Sequence, residues 1–265
     1  MESIAVHAFN PGPMTGAGNW TWLLRGRVPT LIDAGTGEQR HLDAVAAALA
    51  GAPLAQVLVT HGHIDHASGA LALAERFRGA RFLKMAWPER DARWPVGWKP
   101  LGDGQFVEAG DDVLRAVHTP GHAPDHLCFW HEPSRTLFSG DLAVKGTTVY
   151  IPPNLRGDLA DYLASIERVR ALRPARLLPA HGDVIGDPEA LLRQYLEHRR
   201  EREEQVLSAL RAGNTTPETL VAQIYPALED RLIDVARETV LAHLIKPERE
   251  GRAVRRGNSW HIMEP

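Results

Sequence analysis

The sequence contains very little cysteine: Cys128 is the only one in 265 residues. A single thiol cannot form an internal disulfide, which excludes a disulfide-stabilised scaffold and is typical of a reducing cytosol. Long apolar runs are also missing, because no stretch approaches the roughly 18 uninterrupted apolar residues of a membrane span. The first 14 residues lack a basic leader followed by an apolar core, so we expect no secretory signal and a cytoplasmic location.

A strong excess of charge of either sign is absent as well. The formal net charge is -3, which gives no broad attraction to nucleic acid or to an anionic membrane. A hydrophobic content of 44% with 24% charged residues is ordinary for a soluble globular protein, and the length fits one or two domains. Histidine is the residue type in excess, with 13 copies, several of them close together. This clustering predicts a functional site.

Residues 1–187 alternate short apolar strands with a few helices. Strand patterns occur at residues 4–9, 20–24, 30–33, 56–60, 81–84, 113–118, 126–130, 136–139 and 176–178. Helical patterns occur at residues 41–50, 69–77 and 158–172. Strands interleaved with helices through tight loops predict an α/β (α+β) domain of packed sheets with helices on their outer faces.

Residues 188–265 have a different pattern. Helices are predicted over residues 188–212, from Thr216 to Ile224 and over residues 231–249, followed by a hairpin over residues 252–262. Three helices followed by a hairpin is the order of a winged-helix module. No low-complexity linker separates the two parts, so we expect this small winged-helix-like domain to pack against the first domain.

Four side chains that can bind metal lie within six residues, directly after the apolar strand residues 57–59: His61, His63, Asp65 and His66. Imidazole suits zinc, and carboxylate suits zinc, iron and manganese. On a loop after a buried strand, these groups can converge on a cleft without burying unpaired polar atoms. The spacing therefore predicts a metal site rather than a polar loop that happens to be rich in histidine.

Three further residues lie at the ends of predicted strands, beside Gly or Pro: His122, Asp141 and His181. Each one alone would be interpreted as a turn residue. In this order, after the H-x-H-x-D-H segment of residues 61–66, they complete the signature of the metallo-β-lactamase superfamily, which the sequence resembles.

The resemblance implies an αββα sandwich with two divalent metal ions at one edge. The implied ligand sets are His61, His63 and His122 for one ion and Asp65, His66 and His181 for the other, with Asp141 bridging them. The resemblance also implies a bridging hydroxide as nucleophile, oriented by Asp65, and a role for Asp33 in fixing a ligand imidazole. Zinc suits these ligands best, and iron or manganese would also fit.

A narrower resemblance, to the LACTB2-like subfamily, is carried by residues 10–15, 120–126, 157–166, 198–199 and 203–207, and by the later helix that ends at residues 243–244. That subfamily has a winged-helix-like domain after the hydrolase domain, and one member is similar to an endoribonuclease that acts on single-stranded RNA. Two departures stand out. Residues 18–22 read G-N-W-T-W where the subfamily usually reads G-T-N-T-Y, which implies a different loop beside the cleft. Pro247 should kink the last helix or end it early.

Other side chains allow competing interpretations. His126, four residues after His122, has two equally good interpretations. It could be a catalytic group at the cleft rim that donates a proton or a hydrogen bond to substrate, or it could be a strand histidine with satisfied hydrogen bonds. Cys128 lies in an apolar strand, which predicts an inert core thiol. The tryptophans of the Pro-rich stretch 86–100 favour a packed surface loop over a loop that covers the pocket: Trp87, Trp94 and Trp98.

The leading hypothesis is a binuclear hydrolase that cleaves an ester-like bond of a small molecule: a thioester, lactone, β-lactam or phosphodiester. The alternative, an endoribonuclease acting on single-stranded RNA, rests on the subfamily resemblance. It is weakened because residues 195–265 carry 11 Lys+Arg against 12 Asp+Glu. A winged-helix regulator that binds nucleic acid would need a basic third helix, yet acidic residues dilute the basic ones there. For residues 188–265, a role in packing or homodimerisation is the better hypothesis. We also expect no di-iron redox role, because such proteins usually have an attached flavin domain.

Overall fold

The structure, a computed structural model, describes residues 2–263. Its first sheet contains six strands in chain order: β1 (Ile4–His7), β2 (Trp20–Leu24), β3 (Thr30–Ile32), β4 (Gln56–Leu58), β5 (Arg81–Lys84) and β6 (Lys99–Pro100). The strands from β1 to β3 pair antiparallel, and those from β3 to β6 pair parallel. Because parallel strands end at the same edge, the residues after β3 and β4 lie side by side. This pairing places Asp33 beside the 61–66 segment.

The second sheet has the order β11-β10-β9-β8-β7. Its strands are β7 (Phe106–Ala109), β8 (Asp112–His118), β9 (Leu127–His131), β10 (Thr136–Gly140) and β11 (Arg176–Pro179). All pairs are antiparallel except β10 with β11, which run parallel. Asp141 and His181 therefore follow strands that end at the same edge of this sheet.

The two sheets pack face to face, and helices cover both outer faces. Large side chains fill the space between the sheets, among them Trp22, Leu58, Phe129 and Phe138. The first sheet packs against α1 (Gln39–Leu49) and α3 (Ala70–Arg76). The short helix α2 (Ile64–Ala67) lies between them in the chain, and the short helix α4 (Pro88–Asp91) follows α3. The second sheet packs against α5 (Leu159–Ala171). These four layers are the αββα sandwich that the sequence predicts.

The C-terminal part consists of α6 (Pro188–Arg211), α7 (Pro217–Ile224), α8 (Ile233–Arg249) and a hairpin of β12 (Ala253–Arg256) and β13 (Ser259–Ile262). The side chains of Asp187 and Thr216 cap the first two helices. Leu220, Val240 and Trp260 lie in the buried core of this part. The predicted order of three helices and a hairpin is confirmed. Within residues 2–263, none of the helices has the length and apolar character needed to cross a membrane.

Two features differ from the sequence prediction. Pro247 does not end α8, which continues two residues further to Arg249. Proline has no backbone N–H, so residue 247 cannot donate to the carbonyl of His243 one turn earlier. The Pro247 ring is buried, and its own carbonyl accepts a hydrogen bond from the Arg252 amide at 2.8 Å, which satisfies one of the carbonyls at the end of the helix. The strands β6 and β7 have no counterpart in the prediction because their pattern is weak: β6 spans two residues, and Phe106 in β7 is 71% exposed.

Candidate metal centre

The structure brings all seven predicted ligand residues together. The segment with His61, His63, Asp65 and His66 follows β4 and enters α2. The other three come from the second sheet and follow β8, β10 and β11: His122, Asp141 and His181. Three groups of these side chains have all their ligand atoms within 4.8 Å of one another: His61–His63–His122, His61–His66–Asp141 and Asp65–His66–His181.

Three imidazole nitrogens meet in the first group. His63 Nδ1 lies 3.0 Å from His61 Nε2 and 2.9 Å from His122 Nε2. His122 Nδ1 donates to the carbonyl oxygen of Tyr150 at 2.7 Å, which fixes the proton on Nδ1 and leaves Nε2 as a lone pair. The Thr60 hydroxyl donates to Asp33 Oδ1 at 2.9 Å, so it accepts from His61 Nδ1 at 3.0 Å and leaves His61 Nε2 as a lone pair. Burial, followed by neighbouring histidines, holds the pKa of His61 and His63 well below 6.5, so both rings are neutral.

This arrangement fits a divalent cation. A neutral His63 ring has at most one proton on Nδ1 to share between the Nε2 lone pairs of His61 and His122, so hydrogen bonding leaves at least one lone pair without a donor, and a positive charge between the three nitrogens would stabilise all of them. Ligands about 2.0–2.1 Å from a tetrahedral zinc ion lie about 3.3–3.4 Å apart, close to the separations in this site. Asp141 Oδ1 is buried without a hydrogen-bond partner among the described residues, so the hydrogen bonds of the chain do not account for it.

The second group combines carboxylate with imidazole. Asp65 Oδ2 lies 3.3 Å from His66 Nε2 and 3.3 Å from His181 Nε2. Asp141 Oδ1 is also 3.3 Å from each of these two nitrogens, whereas Asp141 Oδ2 is 3.4 Å from His122 Nε2 in the first group. The two oxygens of one carboxylate therefore face different groups, which is the geometry of a bridging ligand.

The charges of this group favour a cation. Burial would raise the pKa of Asp65, but His66 and His181 outweigh it and hold that pKa far below its usual range. The pKa of Asp141 is likewise held well below 3.8, against the effect of burial, by His181 and His66. Burial opposes a charge on His181, yet Asp141 and Asp65 raise its pKa to about 10. The negative charge that attracts a proton to this position also attracts a metal ion.

A buried carboxylate behind the second group fixes the orientation of one ring. Asp33 Oδ2 accepts a hydrogen bond from His66 Nδ1 at 2.9 Å, and Asp33 Oδ1 accepts from the amide of Thr60 at 2.7 Å. Since Nδ1 of His66 is engaged, Nε2 faces the site. Asp33 adopts φ 66°, the left-handed region that bends the chain toward the neighbouring segment.

His126 does not lie at the cleft rim. It is fully buried, its Nδ1 contacts the hydroxyl of Thr119 at 2.8 Å, and its Nε2 accepts a hydrogen bond from the amide of Asp141 at 3.0 Å. Gly140 precedes Asp141 with φ +48°, and a Cβ there would lie 2.7 Å from His126 Nε2. This geometry favours the interpretation of a satisfied structural histidine that positions Asp141. Cys128 is also fully buried, and burial raises the pKa of its thiol to about 12, as expected for an inert core residue.

Asn19 is a site residue that the sequence analysis did not identify. Its Nδ2 donates to Asp65 Oδ2 at 2.9 Å, and Asn10 Oδ1 accepts from its backbone amide at 2.9 Å. Asn19 belongs to the G-N-W-T-W stretch that departs from the subfamily pattern, where the sequence analysis expected only a loop of different shape.

A buried ion pair supports the other side of the site. Lys84 Nζ lies 3.0 Å from Asp125 Oδ2 and 2.6 Å from Asp91 Oδ1. A Cβ on Gly62, between His61 and His63, would lie 3.3 Å from Asp125 Oδ2. Trp87 is 5% exposed with its ring 6.2 Å from that of His63, so the Trp-rich loop is packed as expected and also borders the site.

Comparison with known proteins agrees with this geometry. Residues 14–181 match the metallo-β-lactamase superfamily model, and residues 216–260 match the β-lactamase associated winged helix domain. The β-lactamase-like protein 2 homologue of Drosophila melanogaster is 33% identical over 267 residues, covering 94% of this chain and 88% of that protein. Its Caenorhabditis elegans counterpart is 31% identical over 208 residues, covering 76% and 68%.

Solved structures share the fold. A β-lactamase domain protein from Burkholderia ambifaria aligns with a TM-score of 0.83 at 22% identity, covering 98% of this chain and 91% of that chain. A protein solved in a di-iron-bound form aligns with a TM-score of 0.55 at 24% identity, covering 74% and 97%. The chain therefore belongs to the metallo-β-lactamase superfamily of hydrolases, with β-lactamase-like protein 2 homologues among its relatives and an associated winged-helix domain after the catalytic fold.

Proposed function

We propose that this protein is a binuclear metal-dependent hydrolase that cleaves an ester-like bond. His61, His63 and His122 would hold one divalent ion and Asp65, His66 and His181 the other, with the Asp141 carboxylate available to both. The observation that carries the proposal is the split of the Asp141 carboxylate, with Oδ1 3.3 Å from His66 and His181 and Oδ2 3.4 Å from His122. A purely structural carboxylate would need only one set of partners.

Two bound divalent ions supply Lewis acidity and make water nucleophilic at neutral pH. The residues of the chain do the rest. Asp65 is ionised, and the Asn19 amide holds its Oδ2 at 2.9 Å, so this carboxylate has a fixed direction for accepting a proton. Asp33 and the Tyr150 carbonyl fix the rings of His66 and His122.

Zinc is the metal that we propose, since five imidazoles and two carboxylates without a thiolate suit it. Iron is the second candidate, because a protein of the same fold has been solved in a di-iron-bound form. Manganese also accepts this set of ligands.

We propose a small-molecule ester-like substrate, such as a thioester, lactone, β-lactam or phosphodiester, over single-stranded RNA. Many basic residues of the C-terminal part are neutralised by acidic partners rather than free to meet phosphates. Arg237 pairs with Glu218 at 2.9 Å, Lys246 with Glu203 at 2.8 Å, and Arg231 with Glu229 at 2.6 Å. Such pairing reduces the positive charge that this domain could offer to phosphates, which argues against RNA as the substrate. It argues equally against a regulator that binds DNA through this domain.

A substrate panel on protein reconstituted with zinc, iron or manganese tests the proposal. It contains a β-lactam, a glutathione thioester, a lactone, a phosphodiester and single-stranded RNA. We expect hydrolysis of at least one small-molecule substrate, and loss of that activity in Asp65→Ala. The matched control is Asp161→Ala, which removes an exposed carboxylate from α5.

Three results would contradict the proposal: no activity on any member of the panel, activity that Asp65→Ala leaves intact, or far fewer than two ions per chain by elemental analysis. Cleavage of RNA alone would replace the small-molecule substrate with the nuclease alternative.

A further inference from the structure

The candidate metal centre is connected to the C-terminal helices through one stretch of backbone, the 144–150 segment. It lies between β10 and α5, and its last residue, Tyr150, supplies the carbonyl that accepts the His122 Nδ1 hydrogen bond at 2.7 Å. Thr147 and Thr148 in this segment are exposed and lie in no helix or strand. The position of the Tyr150 carbonyl therefore depends on contacts made by the neighbouring residues.

Two side chains of α6, one helical turn apart, make those contacts. The Tyr195 hydroxyl lies 2.6 Å from the carbonyl oxygen of Val144 and 2.7 Å from that of Thr147, and it accepts a hydrogen bond from the Val144 amide at 3.1 Å. The Arg199 guanidinium donates to the carbonyl of Val149, the residue before Tyr150. Both ends of the segment are thus held by one face of α6.

Arg199 is unusual because it is a buried cation without an acidic partner. The residue is 4% exposed, and no carboxylate in the described part of the chain forms an ion pair with it. Its guanidinium instead lies 5.7 Å from the ring centroid of Tyr162. Burying an unpaired charge is unfavourable, and burial lowers the pKa of Arg199. A residue needed only to fill this space could be apolar.

We propose that Arg199 and Tyr195 are positioning residues for the metal centre: they hold the 144–150 segment so that the Tyr150 carbonyl orients His122. This inference rests on the proposed function, because it assigns His122 as a metal ligand. It gives the C-terminal part a role at the site that is independent of nucleic acid. Loss of the Arg199 contact lets the Tyr150 carbonyl move and frees the His122 ring to rotate.

The test compares Arg199→Met, which keeps the length and apolar contacts of the side chain, with Arg199→Lys, which keeps one charged donor. Zinc binding is measured by competition with a chelator. In Arg199→Met we expect one of the two ions to bind about tenfold more weakly and the other to bind as in the wild type. Tenfold is the lower end of the loss in affinity that follows removal of a hydrogen-bond partner behind a metal ligand. Arg199→Lys should recover part of the affinity.

A second measurement, on metal-free protein, tests whether the hydrogen bond between His122 and the Tyr150 carbonyl depends on Arg199. The His122 Nδ1 proton is observed by NMR in the metal-free protein, and its exchange with water should become faster in Arg199→Met. If Arg199→Met does not fold, Tyr195→Phe takes its place, since it removes one hydroxyl and with it the contacts to Val144 and Thr147.

Two controls separate positioning from general loss of stability. Arg200→Met removes the exposed neighbouring arginine of the same helix, and Leu220→Ala opens a cavity in the C-terminal core without touching the segment. Neither should change zinc affinity or the exchange of the His122 proton. The inference is wrong if the folded Arg199 variants bind both ions as the wild type does and keep the His122 proton protected. It is also wrong if Leu220→Ala weakens the same ion equally. A wild type that binds two ions but hydrolyses nothing would refute only the proposed function.

Discussion

Asp33 Oδ2 lies 2.9 Å from His66 Nδ1, and both side chains are almost completely buried. The hydrogen bond between them joins the end of β3 to α2 and turns His66 Nε2 toward Asp65 and Asp141. The structure thus links a strand-end carboxylate to one ring of the proposed second metal position.

We expect Asp33→Asn to lower the zinc affinity of that position by about 10- to 100-fold, because asparagine has one acceptor oxygen where Asp33 uses one oxygen to accept from Thr60 and the other to accept from His66. A chelator titration that resolves the two ions measures this change. Asp43→Asn, an exposed change on α1, serves as the control and should leave both affinities as they are. Equal affinities in Asp33→Asn and wild type would show that Asp33 does not orient His66.

Asn19→Ala removes the donor 2.9 Å from Asp65 Oδ2. A hydrogen bond to a charged group contributes about 1.5–3 kcal/mol, so we expect kcat to fall about tenfold or more on whichever substrate the panel identifies. Steady-state kinetics at saturating zinc measures the effect. Asn258→Ala, in the turn between β12 and β13, provides a matched change away from these contacts. An unchanged kcat would mean that Asp65 needs no such partner.

His243 predicts how the stability of the protein depends on pH. Burial, together with Arg199, Arg202 and His198, lowers the pKa of this α8 histidine to about 3, although its hydrogen bond to the Thr239 carbonyl acts in the opposite direction. Between pH 3 and 6.5 the unfolded chain binds a proton here and the folded chain does not. The free energy of unfolding therefore falls as the pH drops below 6.5, by about 1.4 kcal/mol for each unit from this residue.

Urea unfolding of metal-free protein at pH 7, 6 and 5 measures this slope. His243→Gln, which cannot take up a proton, should flatten it relative to the wild type. Parallel slopes for wild type and His243→Gln would contradict the prediction.

Gly69 lies where α3 begins, and a Cβ on it would lie 2.1 Å from the carbonyl oxygen of Ala34 and 2.7 Å from the Gly37 amide nitrogen. Since both neighbours are backbone atoms that cannot rotate away, we expect Gly69→Ala to lower the free energy of unfolding by about 3 kcal/mol or more. Gly186→Ala, where nothing lies within 4 Å of the added Cβ, should change it little. Denaturant unfolding of both variants decides the point.

Local sequence patterns predicted most of the fold. Strands such as Trp20–Leu24 and helices such as Leu159–Ala171 carry strong apolar periodicity, and the structure has them at or near the predicted residues. The edge strand β7 was missed because exposed edge positions have little apolar alternation to detect.

In the candidate site, too, some residues could be predicted from the sequence and others could not. Side chains that reach the centre directly follow the motif spacing, and the structure brings all seven together. Among the groups behind them, Asp33 was implied by the family resemblance. Tyr150 and Asn19 were not predicted, since Tyr150 acts through a backbone carbonyl and Asn19 through a contact 46 residues away in sequence. Neither kind of contact leaves a local pattern. For His126 the sequence left two interpretations open, and the distinction depends on burial that only the tertiary structure supplies.

The two sheets are built from consecutive stretches of chain, β1 to β6 and then β7 to β11, and this order has a consequence for biosynthesis. A ribosome releases the segment with His61, His63, Asp65 and His66 well before His122, Asp141 and His181. The first sheet can begin to form while the site still lacks three of its seven donors. Filling of the proposed metal centre would therefore be a late event, which requires the second sheet to have formed.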